Sequence, residues 1–245
     1  FFFHPHPATR DPLWSRGLGD VYKRQDLTSA ILQSCDIYFY RTIQYYHIDK
    51  LAKYFYNFGF GSIAGLDIEG EAKGTIPTKE YMDKRYGRFG WSTGALLNFS
   101  IGQGEILVTP IQVLNYTNIL ATRGNTFKPH LVRSDVLIEN KDSLIPDEDW
   151  DRIIFDMGQV VSHQNGTGKN ADPLINGVDV YGKTGTAENP HGEDHAWFIG
   201  WMSFLDNNYS IVVLLENAGS GGAVAAPIAK TVFNNIISLN NMAFK

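Results

Sequence analysis

The sequence predicts an α+β (mixed α/β) domain, an antiparallel sheet flanked by helices. Three observations carry that reading. Helical periodicity dominates the early part of the chain. Three strand-like runs crowd the last third, with an Asp206-Asn207-Asn208 turn between the last two. A helical stretch from about Val224 to Leu239 then follows and can pack back on the sheet.

The bulk numbers agree with one sizeable globular unit. The chain has 245 residues, 43% of them apolar and 19% charged, enough to bury a real core. A net charge of -5 argues against a general nucleic-acid binder. Cys35 is the single cysteine, so no internal disulfide forms. No apolar run approaches the roughly 18–20 residues that span a bilayer. Phe1-Phe2-Phe3 followed by His4-Pro5-His6-Pro7 does not read as a signal peptide, so any export signal or anchor is expected outside this chain.

Residues 1–25 stand apart. They mix Pro5, Pro7, Pro12, Gly17 and Gly19 with Arg10, Arg16, Lys23 and Arg24, without helix or strand period. The stretch from Asp11 to Gln25 resembles translated adapter sequence, and native sequence is expected to start near Asp26. Residues 26–245 then form one domain.

From Asp26 the elements follow in order. Asp26 can cap a helix running through Ile31 and Phe39 to about Tyr46. A second helix is expected from Asp49, as its cap, to Phe58, with Gly59 as its stop. Phe60 to Arg88 reads as irregular connections with short strands. Thr109-Pro110 is a strong helix start, and Gly124 ends that helix. Another helix is expected from Pro146 or Asp147 to about Gln164, with Ile153, Ile154, Met157, Val160 and Val161 inward. Asn165 to Gly168 is a turn. Val178 to Ala187, Ala196 to Phe204 and Ser210 to Glu216 read as strands. The unalternating Ile211 to Leu215 suggests a central strand covered on both faces.

Two short segments carry chemistry. Lys183-Thr184-Gly185-Thr186-Ala187 places a cation between hydroxyls that can grip a carboxylate, and its glycine lets a substrate backbone lie close. Such a strand at a cleft edge can also pair with an extended peptide. Ser34-Cys35-Asp36 places a hydroxyl and an acid two residues apart. They would not share one helix face, so a turn or bend is implied if both act. In isolation each segment reads better as ordinary structure, a solvent-exposed strand end for the first and a polar kink or solvated face for the second.

Together, and in this order, they match the second and third motifs of the three that mark serine β-lactamases and penicillin-binding proteins. Longer stretches extend the match: Ser34 to Tyr40, Phe58 to Gly61, Ser100-Ile-Gly-Gln-Gly104 with Thr109 to Gln112, Gly166 to Gly168, Gly182 to Ala187, and Glu216 to Gly219. From about Asp26 to Leu239 the chain resembles the transpeptidase domain of class B penicillin-binding proteins. It looks most like the elongation-type subgroup, penicillin-binding protein 2.

The resemblance implies a peptidoglycan D,D-transpeptidase that cross-links stem peptides through a serine acyl-enzyme. Ser34 would belong to the relay that returns a proton to the leaving amine, with Asp36 orienting it and Lys183 supplying charge. Thr184 and Thr186, with Gly185 between them, would hold the terminal carboxylate of a stem peptide or β-lactam. The backbone N–H of Thr186 would be one oxyanion donor, worth on the order of 3 kcal/mol of barrier. No cofactor is implied. The implied partner is a membrane glycan polymerase, and the implied location is the extracytoplasmic face of the inner membrane.

The family nucleophile is a serine with lysine three residues on, and no serine or threonine here has that neighbour. The chain alone is therefore expected to be inert, with an incomplete form of the fold. Two rivals stand beside this reading. One is a β-lactamase or D,D-carboxypeptidase of the same fold, and the other is a non-catalytic β-lactam or peptidoglycan-binding module. His191-Gly-Glu-Asp-His195 is expected to be a loop rather than a metal site, because Pro190 and Gly192 exclude a helix.

Overall fold

The computed structural model describes residues 26–132, 138–140 and 145–243. Residues 1–25, read above as foreign, lie outside the described residues. Among the described residues the order begins with six helices: α1 (Leu27–Leu32), α2 (Asp36–Ile43), α3 (Ile48–Asn57), α4 (Lys79–Tyr86), α5 (Gly94–Ser100) and α6 (Pro110–Ala121). A small antiparallel pair, β1 (Asn125–Phe127) and β2 (Ile138–Asn140), precedes α7 (Asp147–Ser162). Strands β3 (Asp179–Ala187), β4 (His195–Phe204) and β5 (Asn207–Leu215) form an antiparallel sheet in that order. A π-turn (Gly221–Ala225) leads into α8 (Ala226–Ala243).

The sheet sorts its side chains by alternation. Ala196, Phe198 and Met202 of β4 face Ala229, Phe233 and Ile237, which recur every four residues along α8. Trp201 faces the opposite way, into a second cluster with Ile119 and Leu120 of α6 and Trp150 and Met157 of α7. Tyr181 stacks on Trp201 with centroids 4.8 Å apart. A third core lies among the early helices and joins Ile43, Ile48, Leu51, Met82, Leu96 and Phe99 with Phe60, Ile76 and Ile106 from the connections between them.

Local chemistry accounts for the element ends. Thr109 and Gln112 form a reciprocal capping box at α6, with Pro110 in the first turn. The buried Gln112 carboxamide also donates to the carbonyls of Ser62 (2.6 Å) and Lys73 (2.9 Å), which pins the preceding loop. Asp147, Glu148 and Asp149 sit in the first turn of α7, where the helix dipole favours them. The β4–β5 connection is the two-residue Leu205-Asp206, with φ of 49° and 61°, so the turn falls one residue earlier than expected. Positive φ at both positions matches the twist of a tight hairpin.

Four expectations need correction. The helix expected from Asp26 to Tyr46 is two helices, broken at Gln33–Cys35 where Ser34 has φ 54°. The cap of α3 is His47, whose Nδ1 accepts from the Asp49 N–H, and not Asp49 itself. The stretch read as irregular holds α4, which buries only Met82 and so shows no apolar stripe. Its strand content is one isolated bridge, Thr75 with Leu107. Finally, β4 is the central strand among the described residues, while β5 pairs with β4 alone. The unalternating apolar run of β5 reflects cover by α6 on one side and α8 on the other, which does not require a central place.

Candidate active site

Ser34 lies in the break between α1 and α2. The Cys35 N–H closes α1 on Ala30 O at 2.9 Å, and α2 restarts at Asp36. The left-handed backbone at Ser34 is unusual for a residue with a side chain and marks a position held by its surroundings. Two ties hold it. The Thr28 hydroxyl donates at 2.6 Å to the fully buried Asp156 on α7, whose other oxygen takes the Arg152 guanidinium at 3.1 Å. The Thr167 N–H donates to Leu32 O at 3.4 Å.

The result is a contact across 149 residues of sequence: Lys183 Nζ donates to Ser34 Oγ at 2.7 Å. The same ammonium donates to Thr184 O at 2.8 Å. Burial pushes the Lys183 amine down to about 8, and the Asp36 carboxylate opposes that shift. Asp36 itself is exposed. Burial raises the nearby Tyr40 phenol, and the carboxylates of Asp36 and Glu188 add to the rise. Asp36 and Tyr40 on α2 thus lie near Glu188, which directly follows β3.

The hydroxyls of β3 point to the other face. Thr184 is buried, and its Oγ1 donates to Thr167 Oγ1 at 2.8 Å. Thr186 is exposed, and its Oγ1 accepts from the Gly221 N–H at 3.4 Å. The π-turn presses closely on the strand here. A Cβ on Gly221 would stand 2.2 Å from Trp197 O and 2.3 Å from Gly185 O, so only glycine fits. Gly185 pairs with Trp197 in the ladder.

Thus Ser34, Lys183 and Asp36 share one side of the cleft, whereas the hydroxyls of Thr184 and Thr186 turn to the other face of β3, toward Thr167 and Gly221. Thr167 and Gln103 belong to the site as well. Gln103 reaches β3 from the loop after α5. Their motifs, Gly166-Thr167-Gly168 and Ser100 to Gly104, are visible in the sequence, but their contacts with β3 are long-range and leave no local signal. The arrangement can polarise a hydroxyl, hold an anion near Lys183 and offer a strand edge to a peptide.

The family model described as the penicillin binding protein transpeptidase domain matches residues 8–234. The chain belongs to that family. The match takes in residues 8–25 as well. Among curated relatives, the peptidoglycan D,D-transpeptidase MrdA of Haemophilus influenzae is 36% identical, covering 94% of this chain and 38% of that protein. MrdA of Acinetobacter baumannii is 31% identical, with 93% and 38% covered. Among solved structures, PBP2 of Helicobacter pylori in complex with MreC has a TM-score of 0.74 at 28% identity, over 86% of this chain and 40% of that one. Pseudomonas aeruginosa PBP2 in complex with WCK 5153 has a TM-score of 0.72 at 32% identity, over 86% and 47%. The chain is thus similar to class B, PBP2-type transpeptidase domains and shares their mixed helix-and-antiparallel-sheet fold. It spans less than half the length of these relatives.

Proposed function

We propose that this domain serves a peptidoglycan D,D-transpeptidase of the penicillin-binding protein 2 type, acting through a serine acyl-enzyme during cell elongation. The observation that carries the reading is the Lys183–Ser34 contact at 2.7 Å, backed by the family membership. In this reading the attacking serine and its lysine base come from sequence outside these 245 residues. The serine attacks the D-Ala–D-Ala carbonyl, D-alanine leaves with a proton delivered through Ser34, and an acceptor amine then takes the acyl group. Lys183 holds the Ser34 hydroxyl and draws the substrate's anionic end. Thr184, Gly185 and Thr186 receive the terminal carboxylate, and the Thr186 N–H faces the developing oxyanion.

The reading places the domain on the extracytoplasmic face of the inner membrane, anchored elsewhere, beside a membrane glycan polymerase. It takes β-lactams as substrate mimics. MrdA and PBP2 relatives support it by name, as does the relative solved with MreC.

The test uses the full-length protein encoded at the source locus and a fluorescent penicillin. Covalent labelling of the wild type and a large loss of labelling rate in Ser34→Ala and Lys183→Ala are expected. Labelling that is indifferent to both substitutions would sink the assignment of the site. The 245-residue chain alone is expected to gain no mass with benzylpenicillin, and a stoichiometric adduct would refute its inertness.

A further inference from the structure

β3 has two edges. One pairs with β4 along its whole length, from Asp179 with Ser203 to Ala187 with His195. The other is the edge that faces the cleft. Thr184 O turns to that side, since the Lys183 ammonium reaches it, and so does Thr186 O. At its far end this edge is already occupied. The Gln103 carboxamide donates through Nε2 to Thr186 O at 3.4 Å, and its Oε1 accepts from the Glu188 N–H at 3.3 Å. One side-chain amide thus takes two successive main-chain groups of the open edge, as the backbone of a neighbouring strand would.

The loop that delivers Gln103 is built for one conformation. Gly102 and Gly104 flank it with φ of 79° and 74°, where side chains are disfavoured. The Gln103 N–H is fixed on Asn98 O at 2.9 Å, and the Gly102 N–H on Phe99 O at 3.2 Å. Phe99 is itself buried in the helical core. The carboxamide therefore reaches β3 from a rigid base in the helical part of the domain.

We infer that Gln103 is a positioning residue that stands in for the peptide on the open edge of β3 and exchanges with it at Thr186 O. The inference rests on the transpeptidase reading, in which that edge receives an extended acyl donor. While the cleft is empty, Gln103 satisfies Thr186 O and Glu188 N–H and keeps the strand end straight. A donor whose own N–H lies beside the reacting carbonyl takes over Thr186 O and moves the carboxamide aside. Gln103 would then select for donors that carry such an N–H and set where the bound peptide leaves the strand.

The experiment compares two probes on the full-length protein. Benzylpenicillin carries an acylamino N–H beside its lactam carbonyl, and a carbapenem carries a hydroxyethyl group there. In Gln103→Ala the second-order acylation constant is expected to rise about two- to tenfold for benzylpenicillin, the span of one net hydrogen bond, and to stay within about twofold for the carbapenem. Equal shifts for both probes, no shift, or a loss confined to benzylpenicillin would overturn the exchange. Amide hydrogen exchange at Glu188 supplies a second readout that needs no chemistry. It is expected to speed up in Gln103→Ala, and unchanged exchange there would remove the clamp. A wild-type protein that neither probe acylates would defeat the transpeptidase reading instead, leaving the Glu188 measurement to judge the clamp alone.

Discussion

β3 and the Ser34 segment face each other across 2.7 Å, yet they are secured by different means. β3 is paired residue by residue with β4 over nine positions, and Phe198 beneath it is fully buried. The Ser34 segment is a left-handed break between helices of six and eight residues. Helices that short are marginal on their own. Its position is borrowed from Asp156, Thr167 and Lys183. One wall is thus a continuous frame, and the other is an adjustable part held at three points.

The comparison can be broken at the frame first. Phe198→Ala removes a fully buried ring between the sheet and α8 and is expected to cost about 3–5 kcal/mol in denaturant unfolding. A cost below about 1 kcal/mol would mean that the strand wall is no firmer than the helical one. Next comes the buried tie. Asp156→Ala is expected to cost about 1–3 kcal/mol, because it strands the Thr28 hydroxyl and frees Arg152. Combined with Thr28→Ala it should cost less than the two separate losses together, and strict additivity would show that the pair is not coupled.

Smaller still is the strain at Ser34. Ser34→Gly and Ser34→Ala both lose the hydroxyl, but only glycine relaxes the positive φ. The glycine variant should be the more stable of the two by about 1–2 kcal/mol, and equal stabilities would refute the strain. The same contact predicts a pH dependence. The Lys183 amine lies near 8 in the folded protein against an ordinary 10.5, so between those values the unfolded chain binds more protons. Stability should therefore rise from pH 8 to 10.5, with the penalty complete below pH 8. Lys183→Met should lack this rise. Parallel profiles for the two proteins would place the ammonium in water.

The same contrast decides what the sequence reveals. The strand wall is legible: the three strand-like runs and the turn residues foretell β3, β4 and β5 to within a few residues. Helix α6 is legible because Thr109, Pro110 and Gln112 act locally. The break at Ser34 is not, because no glycine or proline marks it and its causes lie far away at Thr167 and Lys183. The requirement for a bend is readable from Ser34 and Asp36, but not its place. Helix α4 hides because Lys79 to Tyr86 is polar and buries one residue, although Thr78 accepts from the Tyr81 N–H as a cap should. The strand order is also hidden, since an apolar run reports cover on its faces and not neighbours at its edges.

The two-residue turn at Leu205-Asp206 bears on how the domain assembles. It makes β4 and β5 neighbours in sequence as well as in space, so their pairing closes a minimal loop, and hairpins of this kind form in about 1–10 μs. β3 joins β4 across the short connection of residues 188–194, a second local step. The Ser34–Lys183 contact must instead close a loop of 149 residues, which is entropically slower. Substitutions in the Leu205 turn should therefore alter the folding rate, while those at Ser34 should act mainly on unfolding. The sheet would be framed first, and the two sides of the cleft would meet last.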